Sequence, residues 1–312
     1  MKSKLILLIV FLTEFSFLIN AQGRLETPNE INIDKKKIRM SKIKVVNITS
    51  HDFKYGVLDE EGTQICTKYF DSDGLIQELI DGPNIYKYFY DSKGNVIKSI
   101  LYRDNDESNI ENYIYNGFGS LSVKYLFQDT ITEQPSTINR ITYGSNKLIR
   151  EKIDSNFTDD KYIITGHHTY DYDKQSKLIE QIDSTFEKGE CYIDRTVFEY
   201  DKAGKLSKKT YYYEEGKMVT RCIYHYDLKG HLIESIGYGG GETEKVIMNE
   251  RETLKYDGKG NITEEKKYNS LGGIESKTIY SYDNYSNLIS EIKYSPLGKI
   301  INVIKYHYEY YQ

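Results

Sequence analysis

The chain has 312 residues, 31 of them tyrosine against 11 phenylalanine and no tryptophan, and a formal net charge of −5. An acidic balance without a basic stripe cannot neutralise a phosphate backbone, which excludes nucleic acid as an expected partner and disfavours an anionic membrane surface. Its 3 cysteines cannot build a disulfide framework and leave at least one thiol unpaired, so the fold must be held by other means.

At the start of the chain, Lys2 and Lys4 precede apolar runs from Leu5 to Leu12 and from Phe15 to Ile19, with Ala21 at a cleavage point. Residues 1–21 read as a secretory signal peptide, too short and too interrupted by Thr13 and Glu14 for a membrane span. Glu14 weakens the apolar stretch and keeps an uncleaved anchor as the alternative. The mature protein is therefore expected to be exported, to the periplasm, the cell surface or the medium, with no membrane span after signal removal. Residues 22–50 are rich in Asn, Asp, Glu and Lys, with Pro28 and the run Lys35-Lys36-Lys37, and read as a tether or an irregular first strand.

Residues 51–312 carry one pattern many times. Tyr90-Asp91 is followed by Gly94 and Val96, Tyr200-Asp201 by Gly204 and Leu206, Tyr226-Asp227 by Gly230 and Leu232, and Tyr256-Asp257 by Gly260 and Ile262. Looser copies start at Phe70, Tyr115, Tyr172 and Tyr282, and Tyr143-Gly144-Ser145-Asn146 reads as a copy one loop residue short. Starts 20 to 30 residues apart are the spacing of one supersecondary unit. Offset copies at Tyr268 and Tyr294 put turns every 12 to 14 residues near the end of the chain, which leaves about eight residues per strand.

The turn chemistry makes each copy a hairpin. Asp opens a type I turn whose backbone its carboxylate can hold, and Gly three residues later takes the positive φ that closes a bulged loop. Tyr then faces the residue two beyond Gly, so Tyr256 meets Ile262 and Tyr226 meets Leu232 across the strand pair. Ser176 and Ser286 stand where Gly is wanted and predict looser turns. By strand alternation Leu288, Ser290, Ile292 and Tyr294 should share one face, as should Val96, Lys98, Ile100 and Tyr102, and Leu232, Glu234, Ile236 and Tyr238. Cys66 and Cys222, each four residues before a unit's aromatic, should point inward as small hydrophobes. The expected fold is all-β: tandem antiparallel hairpins in one long twisted or curled sheet, with two free edges.

The repeated Tyr-Asp-x-x-Gly-x-Leu string, with Tyr88-Phe89-Tyr90-Asp91 and Tyr280-Ser281-Tyr282-Asp283 as its fuller forms, resembles the YD-repeat family, also called RHS repeats. The resemblance implies hairpins in a long antiparallel sheet that can spiral into a shell, often around a toxin segment. Here the chain ends within the pattern, at Tyr310-Tyr311-Gln312, and about twenty strands imply a strip that curls without closing around cargo.

No constellation for catalysis stands out. His167-His168 should point to opposite faces of a strand as exposed histidines, which argues against a shared metal. The aspartates Asp91, Asp173, Asp201, Asp227, Asp257 and Asp283 are accounted for by their turns. Gly237-Tyr238-Gly239-Gly240-Gly241 reads as a flexible loop after a hairpin, not as a phosphate loop. The tyrosines are either core or a surface on which sugars and peptides stack. The sequence thus predicts a non-enzymatic, exported binding scaffold with no cofactor, no metal and no catalytic residue, and with an unknown protein or carbohydrate partner whose contact residues it does not name. The alternative is an accessory part of a toxin or secretion system, by analogy with larger relatives of the repeat.

Overall fold

The computed structural model describes residues 35–54, 56–104, 106–128, 134–213, 216–240 and 246–312. The signal-peptide segment and residues 22–34 of the expected tether lie outside them. A short helix, Lys35–Met40, leads into the strand Ile43–Lys54, so the stretch read as tether or irregular strand ends in regular β structure.

Each repeat makes the turn its residues specify. At Asp91 the amide donates to the Asn95 carbonyl at 2.9 Å, and the Gly94 amide donates to the Asp91 carbonyl at 3.0 Å. Asp91 Oδ1 accepts the Lys93 and Asn95 amides at 2.8 and 2.9 Å, and Gly94 takes φ +78°. These amide bonds hold the Asp91 carboxyl below its usual range. Tyr90 pairs with Val96, Tyr226 with Leu232 and Tyr256 with Ile262, as the turn type requires. Ser176 and Ser286 adopt φ of +66° and +64°, forced into the glycine conformation.

Two expectations about these turns are corrected. The Tyr143 copy has lost nothing: Tyr143 pairs with Ile149, the Gly144 amide donates to Leu148, and Lys147 at φ +63° stands in the glycine place. The alternation of faces also fails just past each turn. Pairing passes from Tyr282–Leu288 to Ser281–Ser290, and from Tyr90–Val96 to Phe89–Lys98, so one residue is bulged out of the ladder. A bulge switches the parity of everything beyond it. Leu288 therefore sits on the opposite face from Ser290, Ile292 and Tyr294, and Val96 and Leu232 part from their expected companions in the same way.

The expected open sheet is replaced by a closed barrel of 20 strands. Ile43–Lys54 pairs antiparallel with the last strand, Ile300–Tyr310, through Asn47–His307 and Thr49–Lys305, and on its other side with Thr63–Phe70 through Asn47–Thr67. The two free edges of the strip pair with one intervening strand, which removes the edge problem.

A row of tyrosine hydroxyls ties the units together. The hydroxyl of each unit's leading tyrosine donates to the carbonyl of the aliphatic residue that ends the previous unit's turn: Tyr115 to Val96 at 2.7 Å, Tyr226 to Leu206 at 2.9 Å, Tyr256 to Leu232 at 2.7 Å and Tyr282 to Ile262 at 2.8 Å. Phe70 has no hydroxyl, and at the seam Tyr311 reaches the Phe70 carbonyl at 2.6 Å. Tyr172 departs from the row: its buried hydroxyl has no hydrogen-bond partner among the described residues.

The same face carries one apolar cluster, Ile76, Tyr88, Val96, Tyr113, Leu121, Ile141 and Ile149, drawn from successive strands. Side chains converge in this way only on the concave side of a curved sheet, so the leading tyrosines look into the barrel and form its core rather than its contact surface.

Candidate functional site

The pairing arranges the inward side chains in levels. Nearest the aspartate turns, each leading tyrosine meets an aliphatic residue. One level further, aromatic residues face polar ones: Tyr88 with Ser99, Tyr113 with Lys124, Tyr170 with Gln181 and Tyr280 with Glu291. Burial pushes the Tyr88, Tyr113, Tyr170 and Tyr280 hydroxyls upward in pKa. At the third level much of the ring turns polar, with Asn139 opposite Asp154, His168 opposite Asp183, Glu252 opposite Lys267 and Thr278 opposite Lys293.

His168 is not an exposed strand histidine. Its Nδ1 lies 2.5 Å from Asp183 and its Nε2 3.0 Å from Asp154, which also takes Lys152 at 2.9 Å. Hydrogen bonds to Asp154 and Asp183 raise its pKa to about 9 against the opposing effect of burial. Burial pushes the Asp154 carboxyl up, but the bonds from His168 and Lys152 outweigh it and leave the pKa at about 2. His167 does point the other way, to Glu151 at 2.7 Å. Among the described residues no group of three or more His, Cys, Asp or Glu side chains is placed to hold a metal ion.

The second polar cluster lies on the last strands. Glu265 accepts the Tyr280 hydroxyl at 2.7 Å and Lys267 at 3.3 Å, and Lys267 lies 3.8 Å from Glu252. Burial first, and the neighbouring Glu265 second, raise the Glu252 pKa to about 7. Burial also pushes Glu265 upward, but bonds from Tyr280 and Lys267 outweigh it and keep its pKa low. Two neighbouring carboxyls cannot both ionise freely, so the pair keeps a proton to higher pH than a lone glutamate would, chiefly at Glu252. Beside them is a cavity of ≈430 Å³ lined by Glu265, Lys267, Ser276, Thr278, Glu291, Lys293, Ile301, Asn302 and Ile304.

The outer face is charged as well. Glu264 holds Lys255 at 2.8 Å and Lys266 and Lys277 at 3.3 Å, chiefly through the bond to Lys255, and its pKa falls to about 2. Arg251 reaches Glu234 at 2.6 Å and lies over the Tyr268 ring at 4.9 Å, while Arg195 covers Tyr212 at 5.5 Å.

Of the other residues singled out in the sequence, Gly237 and Gly239 belong to the strand Leu232–Gly240 rather than to a loop, and Gly241 lies outside the described residues. A Cβ at Gly237 would come within 2.9 Å of the Glu250 side chain, which would have to shift to admit it. Cys66 and Cys222 are half-buried and Cys191 is exposed, and none of the three is in a disulfide. Burial pushes the Cys66 thiol up in pKa, as for an inward-pointing small residue.

No family model and no curated protein matches the chain. Among solved structures it is similar to TcdB2-TccC3-TEV at 13% identity and a TM-score of 0.30, over 78% of this chain and 16% of that one. It is also similar to porin-like proteins of Bacteroides uniformis ATCC 8492, at 8% identity and a TM-score of 0.36 over 86% and 98% of the two chains, and of Bacteroides vulgatus ATCC 8482, at 12% and 0.35 over 86% and 99%. Likenesses at these scores carry no functional argument. The tie to the YD-repeat family is a resemblance of motif, and the site is read from its own chemistry.

Proposed function

We propose that the protein is an exported, non-enzymatic binding scaffold whose ligand sits inside the barrel, in the cavity beside Glu265 and Lys293. The supporting observation is that cavity: ≈430 Å³ within the common range of small-molecule sites, with charged and neutral hydrogen-bonding groups at a level where the repeat no longer dictates the side chain. Export rests on the reading of residues 1–21.

No helix among the described residues is long and apolar enough to cross a membrane. For the strands, Arg251, Glu234, Glu264 and Lys277 on the outer face argue for a barrel facing water, because a basic side chain held in hydrocarbon costs about 2–4 kcal/mol at mid-depth. The outward tyrosines are weaker candidates for stacking sugars than the sequence implied, since Arg195 and Arg251 already lie over Tyr212 and Tyr268. The test is an array of small metabolites and glycans probed with the purified chain and with a cavity-filling Thr278→Trp variant that keeps the far-ultraviolet dichroism of the native protein. Selective binding that disappears in the variant is expected. A blank array, or binding indifferent to the filled cavity, would overturn the reading.

A further inference from the structure

Three groups in this cavity lack the partners that their neighbours have. Thr278 is 9% exposed, and its hydroxyl, which solvent still reaches, makes no hydrogen bond among the described residues. A hydroxyl placed in this way on a cavity wall is available to donate to a molecule in the cavity. Its neighbour across the ladder is Lys293, which stands exposed at the cavity wall without a carboxylate partner among the described residues, whereas Lys267 is shared between Glu252 and Glu265. Ser276, opposite Lys267, also makes no side-chain hydrogen bond among the described residues. Two hydroxyls and an ammonium thus face one space, a donor set for an anionic oxygen pair.

The acids around that space are already partly used. Glu265 accepts from Tyr280 and Glu291 from Tyr306, which leaves each with lone pairs for a further donor. Asn302 donates its amide to Ser50 at 2.7 Å, so its oxygen is available to accept. The lining itself carries two lysines, Lys267 and Lys293, and two acids, Glu265 and Glu291, so it offers partners to both ends of a ligand that carries an acid at one end and donors at the other.

We infer that the cavity takes a small molecule with one carboxylate, held by Lys293, Thr278 and Ser276, and with hydroxyl or amine donors at its other end, received by Glu265, Glu291 and Asn302. This rests on the cavity being the ligand site. Sugar acids and free amino acids share that chemistry, and the titration separates them.

Isothermal titration of the purified chain uses D-galacturonate, L-serine and neutral D-galactose as probes. Galacturonate or serine is expected to bind, whichever source the site is built for, with galactose at least ten-fold weaker. Lys293→Met, which keeps the stem and removes the charge, should weaken the bound acid ten-fold or more, as loss of a charge-assisted hydrogen bond does. Thr278→Val should weaken it several-fold with little change in shape, so the outcome does not depend on one variant's folding. Galactose binding as tightly as galacturonate, but lost in Thr278→Trp, would sink the carboxylate assignment and leave the cavity as the site. Binding of either acid unchanged by both Lys293→Met and Thr278→Val would overturn the inference, as would no heat from either acid while the array shows other ligands lost in Thr278→Trp. A blank array as well removes the underlying reading.

Discussion

Replacing Glu252 by Gln tests whether an inward carboxyl really holds a proton near neutrality. The folded pKa of about 7 lies above the ordinary 4.5, so between those values the unfolded chain has released a proton that the folded chain keeps. Stability from this group is therefore fully present below pH 4.5 and declines as pH rises through 7. A tenfold change in proton affinity corresponds to about 1.4 kcal/mol, and because the carboxyl is coupled to Glu265 only part of the rise belongs to Glu252 alone, which puts the loss at roughly 1–2 kcal/mol by pH 8. Glutamine donates a hydrogen bond to Glu265 at every pH without repelling it. Glu252→Gln should match the native protein at pH 4.5 and exceed it by about 1–2 kcal/mol at pH 8. Urea unfolding followed by far-ultraviolet dichroism across that range reads both quantities. Parallel pH curves for the two proteins, or a variant less stable at pH 8, would refute the shared-proton argument.

Tyr256→Phe and Tyr282→Phe should each lower stability by about 1 kcal/mol, the worth of one lost hydrogen bond, whereas Tyr172→Phe, whose hydroxyl has no partner among the described residues, should be neutral or stabilising; equal losses at all three sites in urea unfolding would count against the hydroxyl row. Ser176→Gly and Ser286→Gly should each raise the unfolding free energy by about 0.5–1 kcal/mol by relieving left-handed strain, measured by thermal melts, and a lowered melting temperature would contradict it. His168, whose pKa rises to about 9, contributes stability that is complete below its ordinary 6.5 and is lost as pH climbs through 9, so His168→Gln should cost about 1–3 kcal/mol at pH 6 and progressively less toward pH 10. A constant deficit at both ends would assign the loss to packing instead.

The hairpins, their aspartate-glycine turns and the pairing of Tyr256 with Ile262 were legible in the sequence because each rests on chemistry within six residues. The inward residues past each turn were not, because one bulged residue moves them to the other face. Uncorrected alternation puts Glu234 and Ser290 inside, but Ser235 and Glu291 are the residues that share the inward face with Tyr224 and Tyr280. A count restarted after the bulge, nine and eleven residues beyond each leading tyrosine, finds Glu265, Lys267, Glu291 and Lys293 directly. His168 was read as exposed because Asp154 and Asp183 are distant in sequence and meet it only through the ladder. Closure lay beyond local reasoning altogether, since whether twenty strands coil into a ring depends on accumulated curvature that no single repeat encodes.

Closure also bears on the site. The first strand enters between Thr63–Phe70 and the last strand, and from it Ser50 takes the amide of Asn302. That bond orients Asn302 next to Lys293, its neighbour across the ladder. The cavity thus reaches the last strand, at the seam where it meets the first, at a level where the repeat's demand for tyrosine and leucine has ended. Near the turns every unit must supply the same aromatic and aliphatic side chains to keep the hydroxyl row and the core. Two levels away nothing in the turn chemistry fixes the residue, so polar groups can be placed there without disturbing the fold. A scaffold of this kind separates the positions that hold it together from those free to bind, which is why the Glu252–Lys293 region, rather than the repeated tyrosines, carries the functional reading.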